Sequence, residues 1–275
     1  MNGHMNEQMT TEKPPVLIES LENAVLTLTM NRPERLNALT PPLLMSLLQA
    51  LRKASLNPQV RAVVLTGAGR AFCAGGDVKE MAAAGVSVQT LEERAAHLRE
   101  AMDSARLLRE MPKPTIALAR GPVMGAGFSL ALACDILVVS DSVKISTSFI
   151  SVGLSSDYGG NWLLAQRVGA RARWLSMLSP VLSAEEAARA GIADMVVPDA
   201  ELETEGNRLA SQLASAPTLA IGHIKANLNA VESGVTLGRA MDDEALRQMR
   251  CVMTEDHREA AAAFVEKRAP RFAGR

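Results

Sequence analysis

The chain has 275 residues, with 29 Lys and Arg against 30 Asp and Glu, 48% hydrophobic residues and only 3% aromatic. Such a length supports a large core without disulfide or metal staples. Near-neutrality excludes a duplex binder that works by neutralising phosphates, and the scarcity of aromatics excludes a stacking platform for single strands. Cys73, Cys134 and Cys251 are an odd set with no CxxC pair, so neither a disulfide framework nor a metal site is expected. No apolar run approaches the ~18 residues of a membrane span. Residues 1–13 lack the apolar or arginine-rich pattern of a leader and read as a loose polar tail on a soluble, cytoplasmic protein.

Residues 16–19 and 24–30 are short, rich in Val, Leu and Thr, and separated by Glu22-Asn23; they predict two strands and a turn. Thr40 before Pro41-Pro42 predicts a helix start, with an oxygen-bearing cap and prolines where a missing N–H does least harm. Leu43, Leu44, Leu47, Leu48 and Leu51 follow on a helical period. Residues 61–66 form an apolar strand of the buried type. Residues 91–111 form a long amphipathic helix. Ahead of it, Ala82-Ala83-Ala84-Gly85 within a helical stretch over 80–105 suggests a mobile segment that shapes a pocket. A strand at 115–119, a turn at 121–127, a helix at 128–134 and strands at 136–139 and 143–146 come next. Alternating strands, turns and helices define an α/β fold with buried sheets. Beyond about residue 200 only helical periods remain, at 202–213, 219–231, 237–249 and 255–268. The chain divides into the tail 1–13, a core 14–200 and a helical region 201–275.

Two glycine-bearing turns stand out, residues 71–79 (AFCAGGDVK) and 121–128 (GPVMGAGF). Small residues let a backbone approach a ligand closely. The second turn runs straight into a helix, whose first N–H groups have no intrahelical partner and favour negative charge. Two such N–H groups aimed at one point make an oxyanion hole; ordinary β–α turns share the composition. The spacing of a nucleotide phosphate loop is absent from both. Asp157 is the only acid between Asp141 and Glu185. Its apolar and hydroxylated neighbours would raise its pKa, as suits a general base, but on these residues alone an N-cap for a helix over 158–167 is the favoured reading. His97, His223 and His257 sit beside charged residues on helices and form no catalytic arrangement. Trp162 and Trp174 fit helix core positions, and Cys73 and Cys134 fit small buried fillers.

The residues Asn31-Arg32-Pro33, Leu36-Asn37-Ala38-Leu39, AFCAGGDVKEM at 71–81, PTIALARGPVMGAGFSLALACDI at 114–136 and AFVEKRAPRF at 263–272 together resemble the crotonase family, also called enoyl-CoA hydratase/isomerase. The resemblance covers about residues 14–272. It implies a spiral of repeated β-β-α units, a helical C-terminal region that builds trimers or pairs of trimers, and an acyl-CoA thioester as substrate, with no separate cofactor, no metal, no nucleic acid and no membrane partner. It further implies that the N–H groups of Gly76 and Ala126 hold the thioester oxygen. Arg35, Ala38, Ala74, Asp77 and Val78 would border coenzyme A, and Phe264 and Lys267 would touch it, often from a neighbouring subunit.

Departures from the family pattern narrow the chemistry. Ser129 and Phe149 stand where hydratases carry their two glutamates, so a hydratase mechanism is not expected. Asp157 matches the single carboxylate of the isomerase branch, and GLSSDYGGNWLLAQRVGARAR at 153–173 resembles the isomerases of 1,2-epoxyphenylacetyl-CoA and of Δ3,Δ2-enoyl-CoA. An apolar wall of Phe149, Val152 and Leu154 is expected to keep water from Asp157. Aryl-CoA dehalogenases place a nucleophilic Asp at the same position, but Met102 here replaces their His. An atypical hydratase and a non-catalytic acyl-CoA binder are the remaining alternatives.

Overall fold

The computed structural model describes residues 14–83 and 89–275. The tail expected at 1–13 lies outside them, as do Ala84 and Gly85 of the small-residue segment. Strands β1 (Leu17–Glu22) and β2 (Val25–Met30) form an antiparallel hairpin. Its turn is Asn23-Ala24, both left-handed at φ 49° and 64°, one residue later than expected. Helix α1 (Pro41–Leu56) follows, capped at Thr40 as expected, although the Thr40 side chain makes no capping hydrogen bond. Pro42, the second helical residue, has no N–H to offer such a cap, which leaves only that of Leu43 within its usual reach. Leu43, Leu47, Leu48 and Leu51 of α1 are fully buried.

Strand β3 (Ala62–Gly67) precedes α2 (Val78–Ala83) and α3 (Leu91–Glu110), so the stretch over 80–105 holds two helices and not one. A reciprocal capping box between Thr90 and Glu93 starts α3. Strand β4 (Thr115–Ala119), a three-residue β5 (Pro122–Met124), α4 (Ala126–Ala133), β6 (Ile136–Ser140) and β7 (Lys144–Ser146) come next. Helices α5 (Gly160–Val168), α6 (Arg171–Leu178) and α7 (Ala184–Arg189) lead to β8 (Met195–Val197). The chain ends in α8 (Leu202–Ser215), α9 (Thr218–Glu232), α10 (Leu237–Val252) and α11 (Glu255–Glu266).

The main sheet runs β1-β2-β3-β4-β6-β8, parallel from β2 onward, while β5 and β7 pair as a second, parallel layer. Strand, turn and helix thus recur while successive strands step from one layer to the other, as in the expected spiral. One face of the main sheet packs with α1, α3 and α4 into the larger core. The other face, including Val64, Ile116, Leu118 and Val138, is covered by Leu202, Ala210 and Ala214 of α8. Helix α4 is buried on every side, as an all-apolar helix must be.

Two stitches hold the helical region on this core. The buried Lys225 amine on α9 donates to Leu108 O (2.7 Å), Lys113 O (3.1 Å) and Asp135 Oδ2 (2.7 Å). Arg61, at the start of β3, donates to Thr218 Oγ1, Ala216 O and Phe272 O. No helix among the described residues is long and apolar enough to cross a membrane.

Candidate active site

Each glycine-bearing turn is shaped by a buried polar anchor or a close approach. Leu36 and Asn37 are left-handed, at φ 52° and 55°. The fully buried Asn37 amide accepts from Arg32 N (2.9 Å) and donates to Ala68 O (2.9 Å) and Ala71 O (2.7 Å). Residues 36–39 are thereby laid along 74–77: Ala74 N donates to Leu36 O, Leu39 N to Gly75 O and Asp77 N to Leu39 O. This brings Arg35, Ala38, Ala74, Asp77 and Val78 to one edge. Arg35 and Val78 are exposed there and Ala38 is buried. Asp77 is committed to the chain. It caps α2 through Glu80 N (3.3 Å) and pairs with Arg32 (3.3 Å). Burial pushes its carboxyl up, but Glu80 N–H and the Arg32 guanidinium outweigh that and hold it below the usual range.

The two turns interlock. Cys73 N donates to Pro122 O (3.1 Å) and Met124 N to Cys73 O (2.9 Å). A Cβ on Gly75, itself at φ 90°, would stand 2.9 Å from Met124 O, and one on Gly127 would stand 2.6 Å from Cys73 Cβ. Only glycine fits such contacts. The Cys73 thiol is sealed beneath, and burial pushes its pKa up to about 12, so it is a filler and not a nucleophile. Cys134 is equally buried. After this packing, the N–H of Gly76 enters no backbone hydrogen bond among the described residues. Ala126 is the first residue of α4, so its N–H has no intrahelical partner.

Asp157 lies on the loop between β7 and α5, and it is not a helix cap. Tyr158 and Gly159 are both left-handed, at φ 50° and 69°, and α5 starts only at Gly160 with Gly159 as its cap. Asp157 Oδ1 is buried and has no hydrogen-bond partner. Burial alone raises the carboxyl pKa to about 6. Phe149 lies at the start of α4, its ring carbon Cε1 3.9 Å from where a Cβ on Gly125 would stand. The expected wall is only partly formed: Val152 and Leu154 are 49% and 50% exposed in the single chain, because the short 3-10 turn at Ile150–Val152 faces outward.

Ser129 is buried on α4, and its hydroxyl donates back to Gly125 O (3.4 Å). Its Oγ is 2.2 Å, and Ser156 Oγ 3.1 Å, from the position of a Cβ on Gly160. Gly160 therefore lets the Asp157 loop close onto α4. Gly160→Ala is expected to destabilise the protein by about 1–3 kcal/mol through overpacking, read by denaturant titration. An unchanged midpoint would show that α4 and α5 are not in firm contact. Beside the loop, a cleft of about 430 Å³ is bordered by Met102, Ala105, Tyr158, Trp162 and Leu163, within the range of small-ligand pockets.

Other expectations are corrected or qualified. Trp162 and Trp174 are 44% and 47% exposed and not core; Trp162 borders the cleft, and Arg171 lies over Trp174. His97 and His257 are exposed, but His223 is half-buried. Phe264 is 85% exposed and Lys267 ends α11; among the described residues, no hydrogen bond or ion pair links either to the segment holding Arg35. Asn37, Gly160 and Tyr158 were not singled out by sequence reasoning. The Asn37-Ala38-Leu39 run and the Gly159-Gly160 doublet were the available signals.

The sequence profile of the family described as enoyl-CoA hydratase/isomerase matches residues 20–275. The chain therefore belongs to the enoyl-CoA hydratase/isomerase, or crotonase, family. It is 37% identical to the 1,2-epoxyphenylacetyl-CoA isomerase of Escherichia coli K12, covering 94% of this chain and 98% of that protein. It is also 37% identical to a protein of Rhodobacter capsulatus named "probable enoyl-CoA hydratase", covering 93% and 96%. The fold is shared with the crystal structure of an enoyl-CoA hydratase from Polaromonas sp. JS666, with a TM-score of 0.86 and 34% identity over 93% of this chain and 99% of that one.

Proposed function

We propose that this enzyme is an acyl-CoA isomerase with Asp157 as its single base and the N–H groups of Gly76 and Ala126 as its oxyanion hole. The observation that carries this reading is Asp157 Oδ1, buried and without a hydrogen-bond partner among the described residues, a placement that pushes the carboxyl pKa up to about 6. The carboxylate takes a proton from C2 of a 3-enoyl-CoA, and the electron pair moves onto the thioester oxygen. The two N–H donors stabilise that charge without reorganising. The same carboxyl returns the proton to C4, leaving the double bond at C2–C3. Isomerisation of a ring-1,2-epoxyphenylacetyl-CoA draws on the same base and the same donors.

Hydration would need a group to activate water, and the hydroxyl of Ser129 and the ring of Phe149 supply none. The hydratase name of the Rhodobacter relative favours the alternative of an atypical hydratase. One comparison separates the two. Purified enzyme is expected to isomerise 3-hexenoyl-CoA at least about 100-fold faster than it hydrates crotonyl-CoA, the usual range of one general acid–base group. Comparable rates would sink the isomerase reading.

Coenzyme A would run along the edge of Arg35, Ala38, Ala74, Asp77 and Val78, with the exposed Arg35 guanidinium nearest the phosphates. Phe264 and Lys267 would reach it from a neighbouring subunit. A homotrimer or a dimer of trimers in the cytoplasm completes the reading. Its support is apolar surface: Leu237, Met241, Leu246 and Met249 of α10 are each more than half exposed. Light scattering is expected to give three or six times the chain mass; a monomer would remove the neighbouring-subunit contact.

A further inference from the structure

Helix α11 is mounted on the chain that follows it. Of its 12 residues only Asp256 and Ala263 are buried, so apolar packing does little to fix its place. Lys267 turns the chain in a left-handed conformation at φ 55°, and residues 268–275 double back along the helix. The Arg268 guanidinium donates twice to Glu259 (2.6 and 2.9 Å), and Arg271 N donates to the same carboxylate (2.8 Å). One turn nearer the helix start, the buried Asp256 carboxylate accepts from Ala273 N (2.6 Å) and Gly274 N (2.9 Å), while Asp256 N donates to Arg275 O (3.1 Å). Residues three apart share a helix face, so both acids grip the returning chain on one side of α11. Hydrogen bonds to an ionised carboxylate are among the strong ones. The returning chain is tied to the core as well. Arg61 Nη1 donates to Phe272 O (2.9 Å), and its other nitrogens donate to Thr218 Oγ1 (2.9 Å) and Ala216 O (2.7 Å). Gly274 lies against the same pair: at φ 80°, a Cβ there would stand 3.1 Å from Thr218 Oγ1 and 3.2 Å from Arg61 Nε. Residues 272–275 thus bridge α11 and the start of β3. The far end of the helix projects, with Phe264 and Val265 85% and 81% exposed.

We propose that residues 268–275 form a clasp, with Asp256 as its positioning residue, that holds α11 as a rigid arm presenting Phe264 and Lys267 to the coenzyme A of a neighbouring subunit. The inference rests on the reading that those two side chains touch coenzyme A. Asp256 meets neither the ligand nor the reacting atoms; it acts by fixing the arm in advance. A contact residue that is already immobile loses less freedom when the ligand binds. The clasp therefore governs affinity for the coenzyme A portion of the substrate and leaves the proton transfer at Asp157 alone.

The test compares 3-hexenoyl-CoA with the N-acetylcysteamine thioester of the same acid, which lacks the nucleotide. Asp256→Asn keeps the side-chain shape but sets an NH2 against one of the two N–H donors. It should raise KM for 3-hexenoyl-CoA about tenfold, the scale of ordering a few side chains on binding. Neither kcat nor the KM of the short thioester should change. By calorimetry, free coenzyme A should bind the variant more weakly by the same factor; this measurement needs no turnover, so it stands even if the isomerase reading fails. Glu259→Gln opens the other end of the clasp at a less buried residue. It should act in the same direction to a smaller extent, which keeps the proposal testable where Asp256→Asn folds poorly. Amide hydrogen exchange over residues 264–268 should quicken in both variants. Equal increases in KM for the two thioesters in both variants mean a general loss of structure and overturn the inference. Unchanged affinity for coenzyme A despite faster exchange overturns it too. A double variant, Phe264→Ala with Lys267→Ala, isolates the contact on which the clasp depends. If the double variant loses affinity for coenzyme A and the clasp variants do not, the contact stands and the clasp falls. If the double variant binds coenzyme A normally, the contact falls and the role of the clasp falls with it.

Discussion

Asp157→Asn should lower the rate of double-bond transposition by about 10³-fold, within the range that one general acid–base group supplies, while raising stability at neutral pH. The two effects have one cause. Its Oδ1 is buried without a partner among the described residues, so the charged form is disfavoured and burial pushes the pKa to about 6 against an ordinary 3.8. The folded protein therefore binds the proton more tightly than the unfolded chain. Below pH 3.8 the group is neutral in both states and costs nothing as a charge. As pH rises from 3.8 to about 6 the unfolded chain releases its proton while the folded state still holds it, so stability falls, and above about 6 the loss is complete. Two pKa units correspond to roughly 3 kcal/mol at most, and partial solvent access reduces this to about 1–2 kcal/mol. Asparagine cannot ionise. The melting temperature of the variant relative to wild type should therefore climb between about pH 4 and pH 6 and level off above that. Wild-type kcat/KM should rise with pH to a plateau above about 6, since the base must be ionised to take the first proton. Full activity in the variant, or a stability difference that ignores pH, would remove Asp157 from the mechanism.

How far these features were legible in the sequence depends on how local they are. Helix α1, the β4 strand and both glycine-bearing turns follow from short-range pattern: a leucine period, an apolar run, glycines where no Cβ fits. Strands β5 and β8 have three residues each; Pro122 disguises the first as turn, while the equally short β7 was betrayed by the apolar Val143 just before it and Ile145 within it. The absence of a cap at Asp157 was not legible either. An Asp ahead of a helical run has cap chemistry, and only the left-handed Tyr158 and Gly159 move the helix start out of its reach. The two tryptophans err in the opposite direction, because helical spacing fits a buried face and a half-exposed, cleft-lining one alike. The donors we propose are backbone N–H groups, which no side-chain pattern advertises. Their placement follows from the contact of Gly75 with Met124 and of Gly127 with Cys73, residues about fifty positions apart.

Those backbone donors can be tested one at a time without altering a side chain of the site. Ala126 is the first residue of α4, the helical position where proline is best tolerated, because its N–H has no intrahelical partner to lose. Ala126→Pro should therefore leave the helix in place while deleting one oxyanion donor. The expected loss is about 10²–10³-fold in kcat, or roughly 3–4 kcal/mol of transition-state stabilisation. The preceding residue accommodates the change: Gly125, at φ 53° and ψ −126°, lacks the Cβ that proline usually crowds. Far-UV circular dichroism and the melting temperature should stay close to wild type, which separates loss of the donor from loss of fold. The result has a specific chemical signature as well. Enolate formation is the step that places charge on the thioester oxygen, so deuterium exchange at C2 should fall in parallel with overall turnover. If turnover fell while exchange stayed fast, the donor would be acting after enolate formation. If neither fell, the thioester oxygen would sit elsewhere than between Gly76 and Ala126.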